Sequence, residues 1–379
     1  VENSVFYQPT KAIVNLEAIR TNINSLRNYL ALETKIIAVV KADGYGNGEV
    51  EVARTALEAG VEMISVATPD EAVRLRRAGI SGDILVMGPS PISFAKEAAA
   101  SGITIAVSNV EWLQNVEDAC KDLQKQLKIH VKIDTGMGRI GLRDEEALQS
   151  LVTFVNKSKH VVIDGVFTHF ACADEENSQR TEEQFALFMK LVDTMPEKPR
   201  LVHAANSAAA LLYPDFALDA VRFGIALYGI APSEYVGGRI PLRLERSFSL
   251  VSELTYVKRL SSGNRISYGG TYETTEEEWI GTIPIGYADG LRRSLRGQEV
   301  LIAGERIPIV GTICMDQCMV RLPREMPIGE NVTLIGRQGD EEITMEEWAT
   351  RLGTIPYEIA VSISKRVPRF FKGISGQPE

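Results

Sequence analysis

The sequence predicts an α/β fold, a (β/α)8 barrel of the TIM type followed by a mainly β C-terminal domain, and three observations carry that expectation. Eight short apolar runs recur up to about residue 223, mostly helix-compatible segments separate them, and beyond about residue 240 strand-like runs replace the alternation. Strands joined regularly by helices build parallel sheets, and eight of them over roughly 230 residues suit a closed barrel. By pattern alone a doubly wound sheet fits almost as well. A chain of 379 residues is long for one domain and suits two. These are expected at residues 12–240 and 241–379, with residues 1–11 packing with the second.

In chain order, Asn15 can cap a helix whose apolar positions Leu16, Ile19, Ile23, Leu26 and Leu30 repeat at helical spacing. The first buried strand follows at 36–40, where Ile36, Ile37, Ala38, Val39 and Val40 form a nearly continuous apolar run. Further runs lie at 63–67, 84–87, 103–107, 129–133, 161–167, 201–204 and 220–223. In the second domain the strand-like runs are 250–260, 279–285, 300–319 and 332–336, and 346–352 reads as its one short helix.

The composition narrows the function. With 41 basic and 50 acidic residues and a net charge of -9, the chain has no electrostatic reason to bind nucleic acid or an anionic membrane. Any anion it holds is held locally. Residues 1–11 are polar and mixed and no run is long enough to span a bilayer, so a cytoplasmic protein is expected. Cys120, Cys172, Cys314 and Cys318 are too few and scattered for a disulfide framework. His130, His160, His169 and His203 show no His-Glu-x-x-His pairing, and no metal site is expected.

The chemistry collects at strand ends. Lys41 closes the first strand and leads at once into Gly44, Gly46 and Gly48, which let the backbone turn tightly. A lysine at such a position loses hydration, which disfavours its ammonium form and frees the amine to form a Schiff base with a carbonyl. Arg139 follows the fifth strand in a glycine turn, His169 the sixth, Asn206 and Ser207 the seventh, and Arg222 and Gly224 lie at the eighth. Singly these read as surface arginines, a structural histidine and a helix cap. In a barrel they share the C-terminal rim, where such folds place their chemistry and, after strands seven and eight, often a phosphate. Ser207 and the Gly224-Ile225 backbone can offer that phosphate neutral donors.

Val39-Val40-Lys41-Ala42-Asp43-Gly44-Tyr45-Gly46-Asn47-Gly48 resembles the cofactor-lysine motif of alanine racemases, although members of that family usually carry His where this chain has Asn47. The resemblance continues, in the family's order, through Met137-Gly138-Arg139, Thr168-His169-Phe170, Asn206-Ser207, Val221-Arg222-Phe223-Gly224, Ile266-Ser267-Tyr268-Gly269, Gly286-Tyr287-Ala288-Asp289-Gly290, Gly311-Thr312-Ile313-Cys314-Met315-Asp316 and Pro356-Tyr357-Glu358. It covers nearly the whole chain.

The resemblance implies a fold-type III enzyme dependent on pyridoxal phosphate (PLP) that interconverts L-alanine and D-alanine for peptidoglycan. It implies a homodimer with shared active sites. Lys41 holds PLP and acts as one base, and Tyr268 of the partner subunit acts as the other. Arg222 faces the pyridine nitrogen, with His169 near the ring and Arg222. Tyr45, Tyr357, Asn206, Ser207, Gly224 and Ile225 surround the phosphate. Arg139, Met315, Tyr287 and Asp316 position the substrate, Arg139 also bonding the cofactor phenolate. Some members carry a carbamylated lysine where this chain has Lys132; an ordinary salt-bridged lysine is the other reading. A serine or broad-specificity racemase, a PLP-dependent decarboxylase of the same fold type and a non-catalytic PLP carrier are the alternatives.

Overall fold

A computed structural model describes residues 6–121 and 125–374. Contacts divide the chain into two units, one running from Glu17 to Arg246, the other joining the residues up to Leu16 with those from Ser247 onward.

The first unit is built on eight parallel strands: β1 (Lys35–Val39), β2 (Met63–Val66), β3 (Asp83–Val86), β4 (Ile103–Val107), β5 (Leu127–Lys132), β6 (Val161–Phe167), β7 (Leu201–His203) and β8 (Ala220–Phe223). Each falls on one of the eight apolar runs. Their order is β7-β6-β5-β4-β3-β2-β1-β8, and β1 pairs in parallel with β8 through Lys35↔Ala220 to Ala38↔Phe223. A doubly wound sheet reverses direction near its middle and stays open, whereas here only one seam is left, between β7 and β8. Asp219 N–H donates to Val202 O at 3.1 Å and Arg222 N–H to Ala205 O at 2.9 Å across it. The barrel reading therefore holds and the doubly wound one does not.

Buried Ile37, Met63, Leu85, Leu201 and Ala220 cluster, one each from β1, β2, β3, β7 and β8, so this level is filled by side chains. The helices between strands start where their residues dictate. Asn109 and Asp144 accept the N–H groups that open helices Val110–Cys120 and Glu145–Lys157. Thr68 and Glu71 form a reciprocal capping box on helix Pro69–Arg77, with Pro69 in its first turn and Arg74, Arg76 and Arg77 in its last.

The second unit is mainly β. Lys11–Asn15 lies between Phe248–Glu253, antiparallel to it, and Arg369–Lys372, parallel to it, within a ten-stranded sheet. Residues 12 to 16, expected with the barrel, thus group with the later strands, 12 to 15 by direct pairing, and 241 to 246 group with the barrel. Of residues 1–11, the first five lie outside the described residues; Thr10 Oγ1 bonds Ser252 Oγ at 2.7 Å and donates to Pro284 O at 2.9 Å. The run at 300–319 resolves into Glu299–Ile302, Glu305–Val310 and the start of Cys318–Leu322. Ala303 and Gly304, with φ of 51° and 78°, turn the first of these into the second, the twist a two-residue hairpin favours.

Helix Met345–Leu352 forms where expected, but it is not the only α-helix in this unit: Pro356–Ser362 follows it. With only Ile359 and Ala360 fully buried, that helix has too little apolar periodicity to show in the sequence, and Pro356 at its first turn was the readable signal. Among the described residues no helix is long and apolar enough to cross a membrane.

Candidate active site

Lys41 stands two residues beyond the end of β1, at the start of an unusual turn. Ala42, Asp43, Gly44, Tyr45 and Gly46 have φ of 53°, 56°, 61°, 52° and 79°, a run of left-handed backbone that includes three residues with side chains. Each of those three costs about 1–2 kcal/mol in isolation, so something must hold the turn. Backbone bonds do part of it: Gly44 N–H donates to Val40 O at 2.8 Å, Gly46 N–H to Ala42 O at 3.1 Å and Gly48 N–H to Asp43 O at 2.8 Å. Glu71 does the rest. Its Oε1 accepts Ala42 N–H at 2.8 Å, and its Oε2 accepts Ala67 and Thr68 N–H at 2.8 and 3.0 Å. Sequence reasoning missed Glu71, although Thr68-Pro-Asp-Glu71 is a legible capping box.

The turn puts Lys41 on a cavity of about 250 Å³ at the barrel mouth, lined also by Ala67, Met87, Lys132, Arg139, Phe167, His169 and Arg222. Four of its lining residues are Lys or Arg and none is acidic. Burial lowers the Lys41 pKa from its ordinary value, helped by Arg139 and then Arg222, with Glu71 opposing. Lys132, the last residue of β5, is 3% exposed. Burial first, then Arg222 and Arg139, push its amine down to about 6. It makes no ion pair among the described residues. Its Nζ lies 4.8 Å from the Phe167 ring centre and donates to Ile133 O at 3.4 Å. Arg139 has no hydrogen bond or ion pair among the described residues and is free to meet an anion.

Arg222 projects from within β8 rather than from the loop after it. Its Nη1 donates to His203 Nδ1 at 2.9 Å and His203 O at 3.3 Å, its Nη2 to Thr168 O and Ala204 O, both at 2.8 Å, with His169 Nδ1 3.3 Å away. These bonds occupy the four Nη hydrogens and leave Nε–H for a ligand. Burial, with Arg139, lowers Arg222 to about 9, which keeps it charged at neutral pH. His169 is pushed well below its ordinary value, by burial and then by Arg222, and is neutral.

A second corner lies beyond β7 and β8. Gly224 N–H donates to Ser207 Oγ at 2.8 Å, and a Cβ on Gly224 would come within 3.1 Å of the Tyr45 hydroxyl, so glycine keeps the approach open. Burial pushes the Tyr45 phenol up and keeps it a neutral donor. Ile225 opens a short 3₁₀ turn, where its N–H has no partner inside the turn. Asn206 caps helix Ser207–Leu212 by accepting Ala209 N–H at 3.0 Å. Asn47, where the resembling family usually has His, is buried and donates to Tyr45 O at 3.1 Å, bracing the same turn.

The remaining expected site residues belong to the second unit, where three loops interlock. Ser267 Oγ and Thr312 O, then Thr312 Oγ1 and Tyr268 O at 3.0 Å, tie the Tyr268 turn to 311–316. Tyr287 N–H donates to Cys314 O at 3.1 Å and Ala288 N–H to Met315 O at 3.0 Å. Tyr268, Tyr287, Met315 and Asp316 are thereby gathered on interlocked loops, and Tyr268 is 73% exposed. Asp316 pairs with Arg366 at 2.8 Å. Tyr357, half-buried, lies on Pro356–Ser362, which Arg292 joins to the Tyr287 loop by pairing with Glu358 at 2.6 Å.

Comparison with known proteins extends this picture. The model of the alanine racemase N-terminal domain matches residues 14–232, and that of the alanine racemase C-terminal domain residues 247–371. An alanine racemase of Geobacillus stearothermophilus is 49% identical over 97% of this chain and 94% of its own. The crystal structure of alanine racemase from Bacillus anthracis with bound L-Ala-P superposes with a TM-score of 0.93 at 43% identity, covering 99% of this chain and 97% of that one. A histidine racemase from Leuconostoc mesenteroides superposes at 0.92 with 29% identity, covering 97% and 99%.

Proposed function

This chain belongs to the alanine racemase family and, as a PLP-dependent isomerase, interconverts L-alanine and D-alanine; we propose that it does so with two bases, Lys41 and Tyr268 of the partner subunit. The observation that carries the reading is the cavity in which Lys41 meets Lys132, Arg139 and Arg222 with no carboxylate among them. A site so charged is built for an anionic guest.

The residues present fit PLP. Arg222 keeps its Nε–H for a ring nitrogen, Tyr45, Ser207 and the Gly224-Ile225 backbone offer neutral donors to a phosphate, and Arg139 stands unpaired for a phenolate or carboxylate. Bound PLP supplies an aldehyde that takes up an amine and a ring that withdraws the electron pair left when the adjacent carbon loses its proton.

Lys41, with its pKa lowered by burial, holds the cofactor and then takes or returns the α-proton on one face of the substrate. Tyr268 does so on the other face, in a homodimer that shares its active sites. Its exposure on a tied-down turn supports this use, since a side chain so placed has nothing to bury it in its own unit. Met315, Tyr287 and Asp316 position the substrate from the same loops, and Tyr357 joins Tyr45 at the phosphate. Asn206 orients Ser207 by capping its helix. A guanidinium can only donate, so Arg222 leaves the ring nitrogen unprotonated and the ring a modest electron sink, which restrains transamination.

Lys132 carries a carbamate in this reading. Its neutral amine attacks carbon dioxide, a C–N bond forms and one proton leaves, converting a group among cations into an anion that orients Arg139. In the cell the enzyme works in the cytoplasm and its D-alanine feeds peptidoglycan.

A broader side-chain selectivity is the second reading. The histidine racemase of near-identical fold favours it, because a scaffold that serves two substrates leaves selectivity to a few pocket residues. Incubation of the purified enzyme with L-alanine in deuterium oxide tests the proposal. D-alanine should appear as the α-proton signal is lost. Exchange without inversion overturns the opposite-face role of Tyr268, and turnover of serine or histidine at rates matching alanine decides for the second reading.

A further inference from the structure

Behind Arg222 a line of polar side chains runs through the barrel interior, and no part of the reaction above uses it. His203 on β7 lies with Nε2 2.9 Å from Nδ1 of His130 on β5, whose own Nε2 lies 3.4 Å from Oδ2 of Asp164 on β6. Arg222 Nη1 reaches His203 Nδ1 at 2.9 Å at one end. At the other, Asp164 accepts both arms of Arg200, at 3.0 and 2.8 Å, while Arg200 also meets Glu62 and Asp83. Both imidazoles are fully buried.

The two ends determine every proton between them. An arginine can only donate and a carboxylate can only accept. His203 must therefore keep Nδ1 bare and carry its proton on Nε2, which donates to His130 Nδ1. His130 must do the same and donate from Nε2 to Asp164. A second proton on either ring would set N–H against N–H. The charged groups around the pair, Arg222, Lys132 and Arg200, also oppose it, with Asp164 alone in favour.

The surroundings are shaped to the line. A Cβ at residue 165 would come 2.6 Å from the His130 ring, so only Gly165 lets β6 pass it. Phe167 stacks on His203, ring centres 4.9 Å apart and planes within 4°.

We propose that His203, His130 and Asp164 are positioning residues that lock the Arg222 guanidinium and relay to it the charge of a carboxylate which never reaches the cofactor. A carboxylate placed directly at the ring nitrogen would reverse the ring's electronics; three hydrogen bonds away it stabilises the cation that replaces it. The proposal rests on the assignment of Arg222 to the ring nitrogen.

Imidazole nitrogen NMR on the holoenzyme tests it, made simple by only four histidines in the sequence. His130 and His203 should both show the Nε2–H tautomer and remain neutral from about pH 8 to pH 5. Asp164→Asn keeps an acceptor but removes the charge. It should shift the Nε2–H signals of His130 and, one link further, of His203, and lower kcat roughly tenfold with KM changed less than about twofold. An Nδ1–H tautomer or an imidazolium at either histidine in the wild type overturns the relay, whether or not D164N folds. So does a D164N protein in which the His203 signal stays put or kcat is unchanged. Failure of the Arg222 assignment reads out separately, as an Arg222→Glu enzyme that makes no extra pyridoxamine phosphate.

Discussion

At the scale of single residues, the site depends on amines and guanidiniums kept where water would normally hold them. Lys132 shows the consequence. Unfolded, its amine has the ordinary value of 10.5, and folded about 6. Between those values the unfolded chain binds the extra proton, so stability rises with pH across the window; the penalty is full below about 6 and gone above 10.5. In buffer stripped of carbon dioxide, Lys132→Met should therefore be more stable than the parent by a margin that narrows from pH 6 to 10, read by denaturant unfolding. Bicarbonate should narrow it further at a fixed alkaline pH and add the mass of one carbon dioxide to the parent alone. A margin indifferent to both pH and bicarbonate would sink the carbamate. Arg222→Glu addresses the ring. A carboxyl group there can share a proton with the ring nitrogen, so the fraction of turnovers ending in pyridoxamine phosphate should rise several-fold, by absorbance, over the parent. That Lys41, Arg139, His169 and Arg222 share one cavity could be expected from their strand ends. The inward-facing His130, His203 and Asp164 could not, because one polar residue in an apolar run carries no sign of what it meets across the barrel. The readable hint was their very presence on strands that are otherwise mostly apolar.

At the scale of elements, all eight barrel strands were legible because a strand buried on both faces must be continuously apolar. The left-handed turn after β1 was legible only in its glycines. Ala42, Asp43 and Tyr45 hold the same conformation through backbone bonds inside the turn, a bond from Asn47 to Tyr45 O, and one bond from outside it, Ala42 N–H to Glu71 on the neighbouring helix. Helix Pro69–Arg77 and the Lys41 turn are thus one mechanical unit, pinned by a carboxylate with three backbone donors. Glu71→Leu removes the shared acceptor of three part-buried donors and should cost about 1–3 kcal/mol of stability by urea unfolding. Glu71→Gln retains one acceptor oxygen and should cost less. If the turn is what aims Lys41, the Gln variant folds but loses kcat with its KM for alanine little changed. Equal losses of stability in the two variants would show that the bonds to Ala42, Ala67 and Thr68 do not carry the turn.

At the scale of the whole molecule, the charge balance and the site point in opposite directions, and both belong to the design. A chain of net charge -9 lines its barrel-mouth cavity with four Lys and Arg side chains and no carboxylate, so it attracts an anionic cofactor and a substrate carboxylate locally while its overall charge disfavours nucleic acid. The proposed division of labour between subunits makes a stricter demand. If Lys41 serves its own barrel and Tyr268 the partner's site, each site of a dimer needs one residue from each chain. Lys41→Ala and Tyr268→Phe homodimers should then each be nearly inactive, for different reasons. Mixed after dissociation and reassembly, half of the dimers are heterodimers by chance, and each of these has one site with both lesions and one with none. The mixture should recover roughly a quarter of the parental activity, as a closed two-fold dimer with sites across the interface requires. Recovery should follow the fraction of heterodimer, measured by native mass spectrometry of differently tagged chains. No recovery despite heterodimers would put both bases in one chain and remove the shared site; recovery without heterodimers would show that the variants were never inactive.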